Sequence, residues 1–445
     1  MEWIKKFKRL PYFFHFLYEK ITTSIAFYPT LIAIFFLMLT ALMLFLEDQG
    51  LTSWVNENIP LFLIIKSWSV AQSVLTTLVG ALISLMVFSF SMVMVLLNNA
   101  ASNYSPRILP SLVSNKFHQF VLGTYLGSIT YCLLLAINLT PTLSDVTVPS
   151  ISILLGIFFG LSCLMIFVFF IHSISEAVQV GKILDLITAV TIEKLENGIL
   201  VELIDAPAPT TDSWTFYQAD RTGYLRIIDG IAINKLCSKH QIKIKVLAYK
   251  GNFTLDNSDL FCCDKELEET VLAEILEKFV FSENENAIDD HAVGFRQINE
   301  IALKAMSPGI NDPGTAILAI NKLTILFAKK MELKFGEAFP VGKEQGAVLS
   351  VCLWLNVISL GELLEYILVS LRAYARHDLI VVKKMLGMLK FLALRDYADR
   401  DNLRVIRRET EKIRVDAREY LTNPADYQVV VRVIQQIEDC IEKKI

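Results

Sequence analysis

The sequence lacks the short motifs that identify most soluble enzymes. It has no P-loop, no GxSxG elbow, no HExxH pair and no GxGxxG run after a predicted strand. Its six histidines show no metal-ligand spacing, and its carboxylates are too diffuse for an acid–base pair to be chosen from spacing alone. We therefore expect no enzyme activity, no bound metal and no cofactor.

A disulfide framework is also missing. The seven cysteines are odd in number and contain no C-x-x-C spacing. Cys262 and Cys263 are adjacent in the chain, so they cannot form an ordinary bridge with each other. This cysteine usage predicts reduced thiols in a cytosolic compartment.

The first third of the chain has very little charge. Of the 42 Lys/Arg and 46 Asp/Glu, residues 1–173 hold 8 and 6, which leaves 34 and 40 for residues 174–445. The chain as a whole is 53% hydrophobic, which is too apolar for an ordinary soluble protein. The charged part has more acids than bases, so it gives no reason to expect a nucleic-acid partner.

Four uncharged stretches in the first third are long enough to cross a lipid bilayer, which requires about 20 apolar residues. They are residues 21–46, 70–97, 117–139 and 146–171, and they follow an N-terminal tail of residues 1–20. Basic residues number seven on one side of these predicted spans and one on the other. Because basic flanks stay in the cytoplasm, we expect both termini and the whole soluble part to lie there.

A polar stripe follows the second predicted span. A period of seven, which most of the stripe shows, keeps residues on one side of a helix. Such a stripe either lines a water-filled path, where hydroxyls replace part of an ion's hydration shell, or packs against another helix, which is the commoner use of small polar residues. No Asp, Glu, Lys or Arg lies deep within a span, which disfavours a proton relay. The candidate pore-lining residues are Ser73, Thr77, Gly80, Ser84, Ser91 and Asn98.

Other residues of the predicted spans concern packing and the membrane boundary. Gly123 and Gly127 in the third span, and Gly156 and Gly160 in the fourth, let helix backbones approach closely, within a chain or between copies. Arg107 follows the second span, where its side chain is expected to reach the lipid headgroups or to lie at a pore mouth.

Beyond residue 173 the pattern predicts an α+β part. We expect an amphipathic connecting helix and linker over residues 174–209, a small β-rich module over 210–264, and a mainly helical domain over 265–445. A strand within residues 346–361 should lead into a helix that begins near Ser359. The predicted fold class is a multi-pass α-helical membrane domain, residues 21–173 with four transmembrane helices, followed by this cytoplasmic α+β part.

The segment ALKAMSPGINDPGTAI, residues 302–317, interrupts the helical periodicity with two prolines and two glycines. We predict one helix over about residues 290–306 and the next over about 313–330. Asp312 before Pro313 is a favourable N-cap arrangement, because the carboxylate accepts free backbone N–H groups and proline suits the first helical position. Gly309 is expected to take a left-handed backbone conformation in the turn.

Two interpretations of this corner remain open. Ser307 or Asn311 can cap the exposed carbonyls, so every unusual residue has a structural role in a turn between two helices. A helix N-terminus surrounded by Ser307, Asn311, Gly314 and Thr315 would equally hold an anion or a phosphate group.

A resemblance to a known family appears in the same region. The run GFRQINEIALKAMSPGINDPGTAI, residues 294–317, resembles the characteristic segment of an uncharacterised bacterial membrane-protein family, domain of unknown function 2254. ASNYSPRIL, FIHSISEAVQV and TGYLRIID elsewhere in the chain are similar to the same family. The resemblance implies a four-span protein of the bacterial inner membrane, and it implies no activity. Its characteristic residues are Arg296, Ser307, Pro308, Asn311, Asp312, Pro313 and Thr315.

These observations favour one function hypothesis and leave an alternative. The first is a homo-oligomeric channel or conductance protein whose second spans line an ion path and whose cytoplasmic part forms a vestibule or gate. The alternative is a membrane-anchored sensor or scaffold that binds a small ligand or a partner through the cytoplasmic helices, at the corner formed by residues 302–317 together with Arg296.

Overall fold

The computed structural model describes residues 26–58, 65, 67–103, 116–139, 148–177, 179–197, 209–282, 290–333, 338–344, 347–395 and 397–445. The chain divides into two compact units, Met1–Gln179 and Val180–Ile445.

The described part of the first unit is helical. Its helices are α1 (Phe27–Asp48), α2 (Leu51–Asn58), α3 (Trp68–Asn103), α4 (Lys116–Asn138) and α5 (Ser150–Ala177). Four of them, α1, α3, α4 and α5, are long and apolar enough to cross a membrane. They coincide with the four predicted stretches, although the start of the first stretch lies outside the described residues.

Polar contacts join three helices at one end of this bundle. The Glu47 carboxylate, in the last turn of α1, accepts hydrogen bonds from the Ser152 backbone N–H over 3.0 Å and from the Ser152 hydroxyl over 2.8 Å. Its second oxygen accepts from the Thr52 hydroxyl of α2 over 2.7 Å. Because Ser152 lies in the first turn of α5, the carboxylate also occupies the favourable N-terminal end of that helix dipole.

The second unit begins with α6 (Val180–Asn197) and then builds two sheets. Its strands and the helices between them are, in chain order, β1 (Thr215–Gln218), β2 (Gly223–Ile228), α7 (Gly230–His240), β3 (Ile244–Val246), β4 (Phe253–Thr254), β5 (Asp259–Cys263), α8 (Glu269–Leu276), β6 (Phe279–Ser282), β7 (Ala338–Glu344) and β8 (Ala347–Trp354). One sheet has the order β1-β5-β3-β8-β7 and the other β4-β2-β6. The β3–β8 pair is parallel and the other pairs are antiparallel. The two sheets, α7 and α8 share one apolar core.

The strands do not stop at residue 264, where the sequence pattern had ended the β-rich module. β6, β7 and β8 all follow that residue and complete the two sheets. β8 reaches the sheet by pairing Ile244 with Leu353 and Lys245 with Trp354. Such a long-range parallel pairing leaves no local pattern, because parallel strands are joined by a long crossover connection and not by a recognisable tight turn.

Helices α9 (His291–Ala305), α10 (Pro313–Glu332), α11 (Leu360–Ala375), α12 (Leu379–Ala393), α13 (Arg400–Tyr420) and α14 (Pro424–Glu442) complete the second unit. The predicted start of a helix at Ser359 is confirmed, since Ser359 and Glu362 form a reciprocal capping box at the N-terminus of α11.

The segment predicted as one connecting helix is divided in the structure. α5 ends at Ala177 and α6 begins at Val180. α6 packs on α9 and α10, and Lys322 and Lys329 of α10 form ion pairs with Asp185 and Glu196 of α6, with N–O distances of 2.5 and 3.0 Å. α6 therefore belongs to the helical core of the second unit.

Candidate functional site

The polar stripe of α3 faces away from the helices that pack against it. All six of its residues are exposed: Ser73, Thr77, Gly80, Ser84, Ser91 and Asn98. The buried side of α3 has its own seven-residue repeat, formed by Leu75, Leu82, Ser89 and Leu96. Thr77, Ser84, Ser91 and Asn98 of the stripe each lie two positions after a residue of this buried repeat. Two positions correspond to about 200° around the helix. The stripe and the buried repeat thus occupy nearly opposite faces.

The hydroxyls of the stripe are bonded to their own helix. Thr77 donates to the carbonyl four residues earlier over 2.7 Å, and Ser84 and Ser91 do the same over 3.0 and 2.9 Å. Each hydroxyl oxygen keeps lone pairs that can accept a hydrogen bond or bind a cation. Arg107, expected beyond the end of this helix, lies outside the described residues.

The predicted glycine pairs lie at contacts between helices of one chain. Gly123 and Gly127 face α1, where a Cβ would lie 2.7 Å from the Ile32 side chain and 2.5 Å from the Phe36 ring. The pair in α5 approaches two neighbours: a Cβ at Gly160 would lie 2.7 Å from a side chain of α3, and one at Gly156 would lie 3.4 Å from a thiol of α4.

The corner between α9 and α10 has the predicted helix ends. α10 begins at Pro313, and its N-cap residue Asp312 accepts a hydrogen bond from the Thr315 backbone N–H over 3.1 Å. The Ser307 hydroxyl donates to the Lys304 carbonyl over 2.7 Å, so it caps the end of α9. Hydrogen bonds from Thr315 hold the pKa of Asp312 below its usual value.

The turn itself differs from the prediction at one position. Asn311, and not Gly309, takes the left-handed conformation, with φ of 46°. Asparagine tolerates this region better than other residues with a side chain, because its short polar group bonds locally. Gly309, Asn311 and Asp312 are exposed. The polar groups of the corner are thus used mainly to end one helix and begin the next.

Arg296 does not lie at this corner. It is ten residues before the end cap Met306, about 15 Å along α9. Its guanidinium donates instead to the Asn252 amide oxygen over 3.1 Å, in the turn between β3 and β4. The characteristic residues therefore mark both ends of the antiparallel hairpin that α9 and α10 form.

A buried charged cluster lies near the end of the hairpin opposite the corner. His291 begins α9, and its Nε2 lies 3.2 Å from the Lys330 Nζ of α10. Its Nδ1 lies 3.4 Å from the carboxylate of Asp290, the N-cap residue of α9. Asp290 and Lys330 are 8% and 5% exposed, which is rare for charged side chains that lack charged partners.

Burial shifts the titration of the groups in this cluster. Desolvation lowers the pKa of His291 to about 3, with the nearby positive charge of Lys330 as the next cause. Desolvation also lowers the pKa of Lys330 to about 8, although Asp290 and Glu362 oppose it. It raises the pKa of Asp290. His291 is consequently neutral at physiological pH, and its Nε2 can accept a hydrogen bond from the Lys330 ammonium group.

The β3–β4 turn lies against the same cluster. Gly251 has φ of +85°, and a Cβ there would lie 2.5 Å from the Asp290 carboxylate, so the position requires glycine for both conformation and space. In the same turn, the Tyr249 hydroxyl donates to the Glu362 carboxylate over 2.9 Å. The cluster therefore ties the sheet part of the unit to its helices.

This cluster was not predictable from a motif, although one signal for it is present in the sequence. Lys330 follows Leu323, Leu326 and Phe327 on the buried face of α10. A lysine in register with an apolar stripe predicts either a buried ion or a helix end that has reached solvent. The helix was expected to end at about this residue, which favoured the second interpretation.

Together, the four helices long and apolar enough to cross a membrane and the α+β unit define a class: a predicted membrane protein with an additional α+β unit. The chain belongs to the predicted membrane protein family DUF2254, whose model matches residues 22–390. This confirms the resemblance drawn from residues 294–317.

Curated relatives are similar over much of the chain. An uncharacterized protein of Mycobacterium bovis and one of Mycobacterium tuberculosis strain H37Rv are each 21% identical over 347 residues, 73% of this chain. A third, from Mycobacterium tuberculosis strain CDC 1551, is 20% identical over 347 residues. The chain covers 64% of the length of these relatives. No solved structure matches.

Proposed function

We propose that this protein is a homo-oligomeric channel of the bacterial inner membrane. Its helices α1, α3, α4 and α5 cross the bilayer, and its second unit lies in the cytoplasm as a vestibule or gate. The excess of basic residues flanking one side of the spans supports this orientation.

The exposed polar stripe of α3 is the observation that carries the proposal. Packing of α3 within its own chain does not account for the stripe, because the stripe lies on the face opposite the buried repeat. The exposed faces of other apolar helices carry large apolar side chains, as lipid contact requires. Examples on α1 and α5 are Phe35, Met38, Phe45, Phe158, Met165 and Phe169.

A second copy of the chain, or a water-filled path at the centre of several copies, suits the stripe better than lipid does. The hydroxyl protons are directed to backbone carbonyls, so the oxygen lone pairs would face the path. Such a lining favours cations over anions without a fixed charge, which corresponds to weak selectivity. The alternative function, a sensor that binds its ligand at the 302–317 corner, has less support because Ser307 and Asp312 of that corner are bonded within the chain.

Adjacent threonines of α3 provide a matched pair for the test. Thr77 is in the stripe, whereas Thr76 lies about 100° away around the helix. Both are exposed, and both hydroxyls donate to the carbonyl four residues earlier, over 2.7 and 2.8 Å. Thr77→Leu and Thr76→Leu therefore remove the same hydroxyl group, the first from the stripe and the second from a different face of α3.

The experiment is single-channel recording of the purified protein in planar bilayers, with the oligomeric state measured in nanodiscs. We expect a ring of copies and a conductance that Thr77→Leu and Ser84→Leu reduce several-fold, while Thr76→Leu leaves it unchanged. A monomer, or an absence of conductance under voltage, tension and osmotic challenge, would reject the channel. Equal effects of the two threonine variants would reject the stripe as its lining.

A further inference from the structure

Polar side chains are buried inside the first unit, between α3, α4 and α5. Three of their polar atoms have no hydrogen-bond partner within the described part of the chain: the Ser89 hydroxyl, the His118 Nε2 and the Tyr125 hydroxyl. Their residues are at most 4% exposed. Nearly all buried polar side-chain atoms in proteins are hydrogen-bonded, to other protein groups or to ordered water. These three atoms therefore call for a partner that the surrounding side chains do not supply.

Two contacts between α4 and α5 enclose this region. At one end the His118 ring packs edge-on against Phe170, with 5.5 Å between the ring centroids. At the other end the Ser128 hydroxyl lies 3.4 Å from the Cys163 sulfur. Tyr125 lies on the same face of α4 as both contacts, two turns after His118 and almost one turn before Ser128. It shares one apolar core with Cys163 and Phe170. Because helical side chains lean toward the N-terminus of their helix, the Tyr125 ring extends toward the end at which His118 lies.

Ser89 brings the third helix to the same region. It lies on the buried face of α3, and Leu85, one turn before it, packs against the core that contains Tyr125. The adjacent Phe88 packs on Phe167 of α5, with 5.8 Å between the ring centroids. Phe167 lies between the two α4–α5 contacts along α5, so Ser89 lies at the level of Tyr125. The two hydroxyls interact, yet no hydrogen bond of normal geometry joins them.

The Ser89 hydroxyl also differs from other hydroxyls of α3. Those of Thr76, Thr77, Ser84 and Ser91 each donate to the carbonyl four residues earlier, over distances between 2.7 and 3.0 Å. Ser89 does not make this bond. The usual partner of a hydroxyl in a membrane helix is thus unused at the one of these positions that is buried, and the hydroxyl remains available to a partner between the helices.

The chemistry of the three atoms selects a small neutral partner. Each hydroxyl can donate and accept, and the imidazole nitrogen does one or the other according to its tautomer. No carboxylate, lysine or arginine is among them, and the described residues contain no group of three His, Cys, Asp or Glu that could hold a metal. A bound ion would therefore lack a counter-charge, which is costly in an apolar core. Water donates two hydrogen bonds and accepts two, which matches this mixed set.

We propose that each chain binds water inside its helical bundle, between α3, α4 and α5. One water, or a short chain of waters, completes the hydrogen bonds of Ser89, His118 and Tyr125. The site lies on the side of α3 opposite the polar stripe and within a single chain, so it does not depend on the proposed channel. Hydration is confined to the half of the bundle where α4 begins, because the tyrosine of the other half has a protein partner.

Two buried tyrosines of α4 provide a matched pair for the test. Tyr125 and Tyr131 are both fully buried, but the Tyr131 hydroxyl donates to the Ser152 carbonyl over 2.9 Å. Pulsed X-ray irradiation of the full-length protein in nanodiscs generates hydroxyl radicals from water in place, and mass spectrometry then measures the oxidation of each side chain. We expect Tyr125 to be oxidised several-fold faster than Tyr131. Equally slow oxidation of the two would overturn the proposal, because it would show a dry core in which Ser89 and Tyr125 bond directly to each other.

A second measurement tests whether the buried groups share their water. The double variant Ser89→Ala with Tyr125→Phe removes both hydroxyls, so we expect the oxidation of His118 to fall several-fold. Tyr131→Phe is the control, and it should leave the oxidation of His118 unchanged. Unchanged oxidation of His118 in the double variant would overturn the shared site. The comparison of the two tyrosines uses the wild-type protein alone, so it holds even if a variant fails to fold.

Discussion

Replacing Gly294 by alanine tests a close contact between two helices of the second unit. Gly294 lies in the first turn of α9, where this helix crosses α6. A Cβ at this position would overlap the Thr191 hydroxyl of α6 and would lie 2.9 Å from its Cβ and Cγ2. Thr191 is buried, and its hydroxyl donates to the Ile187 carbonyl over 2.6 Å. A β-branched side chain in a packed helix has little freedom to move away.

The expected cost is the difference between two effects. Overpacking a core contact destabilises by about 1–3 kcal/mol, and the overlap with Thr191 involves an atom near the helix backbone, so we expect a value near the upper limit. Alanine is a better helix former than glycine by about 1 kcal/mol, which offsets part of the cost. The net loss should be about 1–2 kcal/mol. For a unit of this size that corresponds to a decrease in Tm of about 2–8 °C.

Gly387 in α12 supplies the matched control, because a Cβ there would have no atom within 4 Å. Gly387→Ala should therefore stabilise by up to about 1 kcal/mol through helix propensity alone. Both variants are compared with the wild type by thermal unfolding in detergent and by hydrogen exchange of the α6 and α9 peptides. Adding Thr191→Ala to Gly294→Ala removes the overlapping hydroxyl and should restore part of the loss. A Gly294→Ala protein that is as stable as the wild type would refute the reasoning.

Three further predictions concern polar groups. Asp312→Ala should lower the free energy of unfolding by about 1 kcal/mol, measured by thermal unfolding, because the N-cap of α10 is lost. Asp312→Asn should lower it little, because asparagine is also a good N-cap residue. Equal losses in the two variants would exclude capping as the cause. Glu47→Ala leaves the Ser152 N–H without its acceptor, at a cost of about 1–3 kcal/mol, and should increase hydrogen exchange at the start of α5. The pKa of His291 is depressed to about 3, so its contribution to stability is complete above about pH 6.5 and is lost as pH falls toward 3, by about 1.4 kcal/mol per unit. His291→Gln should flatten the decline in Tm between pH 6.5 and 5. An unchanged slope would show that a group other than His291 causes it; Asp290 is not such a group, because its raised pKa makes stability increase as pH falls.

Local chemistry made the hairpin of α9 and α10 predictable. Asp312 and Pro313 mark the start of a helix by mechanisms that act within one turn, and the apolar periodicity on both sides determines the two helix faces. The four long apolar helices were predictable for a related reason, because a long uncharged apolar segment is typical of a helix. Even here the choice between Gly309 and Asn311 for the left-handed position depended on the whole turn, since both residues tolerate that conformation.

Contacts between distant parts of the chain were not predictable in the same way. The pairing of β3 with β8 depends on which strand edge is free after β5 has paired with β3. The contact of Cys352 in β8 with Asn234 of α7 follows from that pairing and from the position of α7. Lys330 shows the same limit at a single residue, because its position on an apolar stripe indicates burial only when the groups that face it are known.

The division of the characteristic residues between the two ends of the hairpin changes what they imply about function. If Arg296 and Asp312 served one ligand, they would have to meet, yet α9 separates them by most of its length. Each end has its own local role: Asp312 begins α10, while Arg296 and Asp290 lie against the turn between β3 and β4. Tight packing through Gly294 holds α6 on the same hairpin, and α6 directly follows α5, the last long apolar helix, in sequence. The features of this segment are therefore those of a rigid element on which both the sheets and α6 pack. Substitutions at either end should therefore lower the stability of the second unit more than they change the affinity for any ligand.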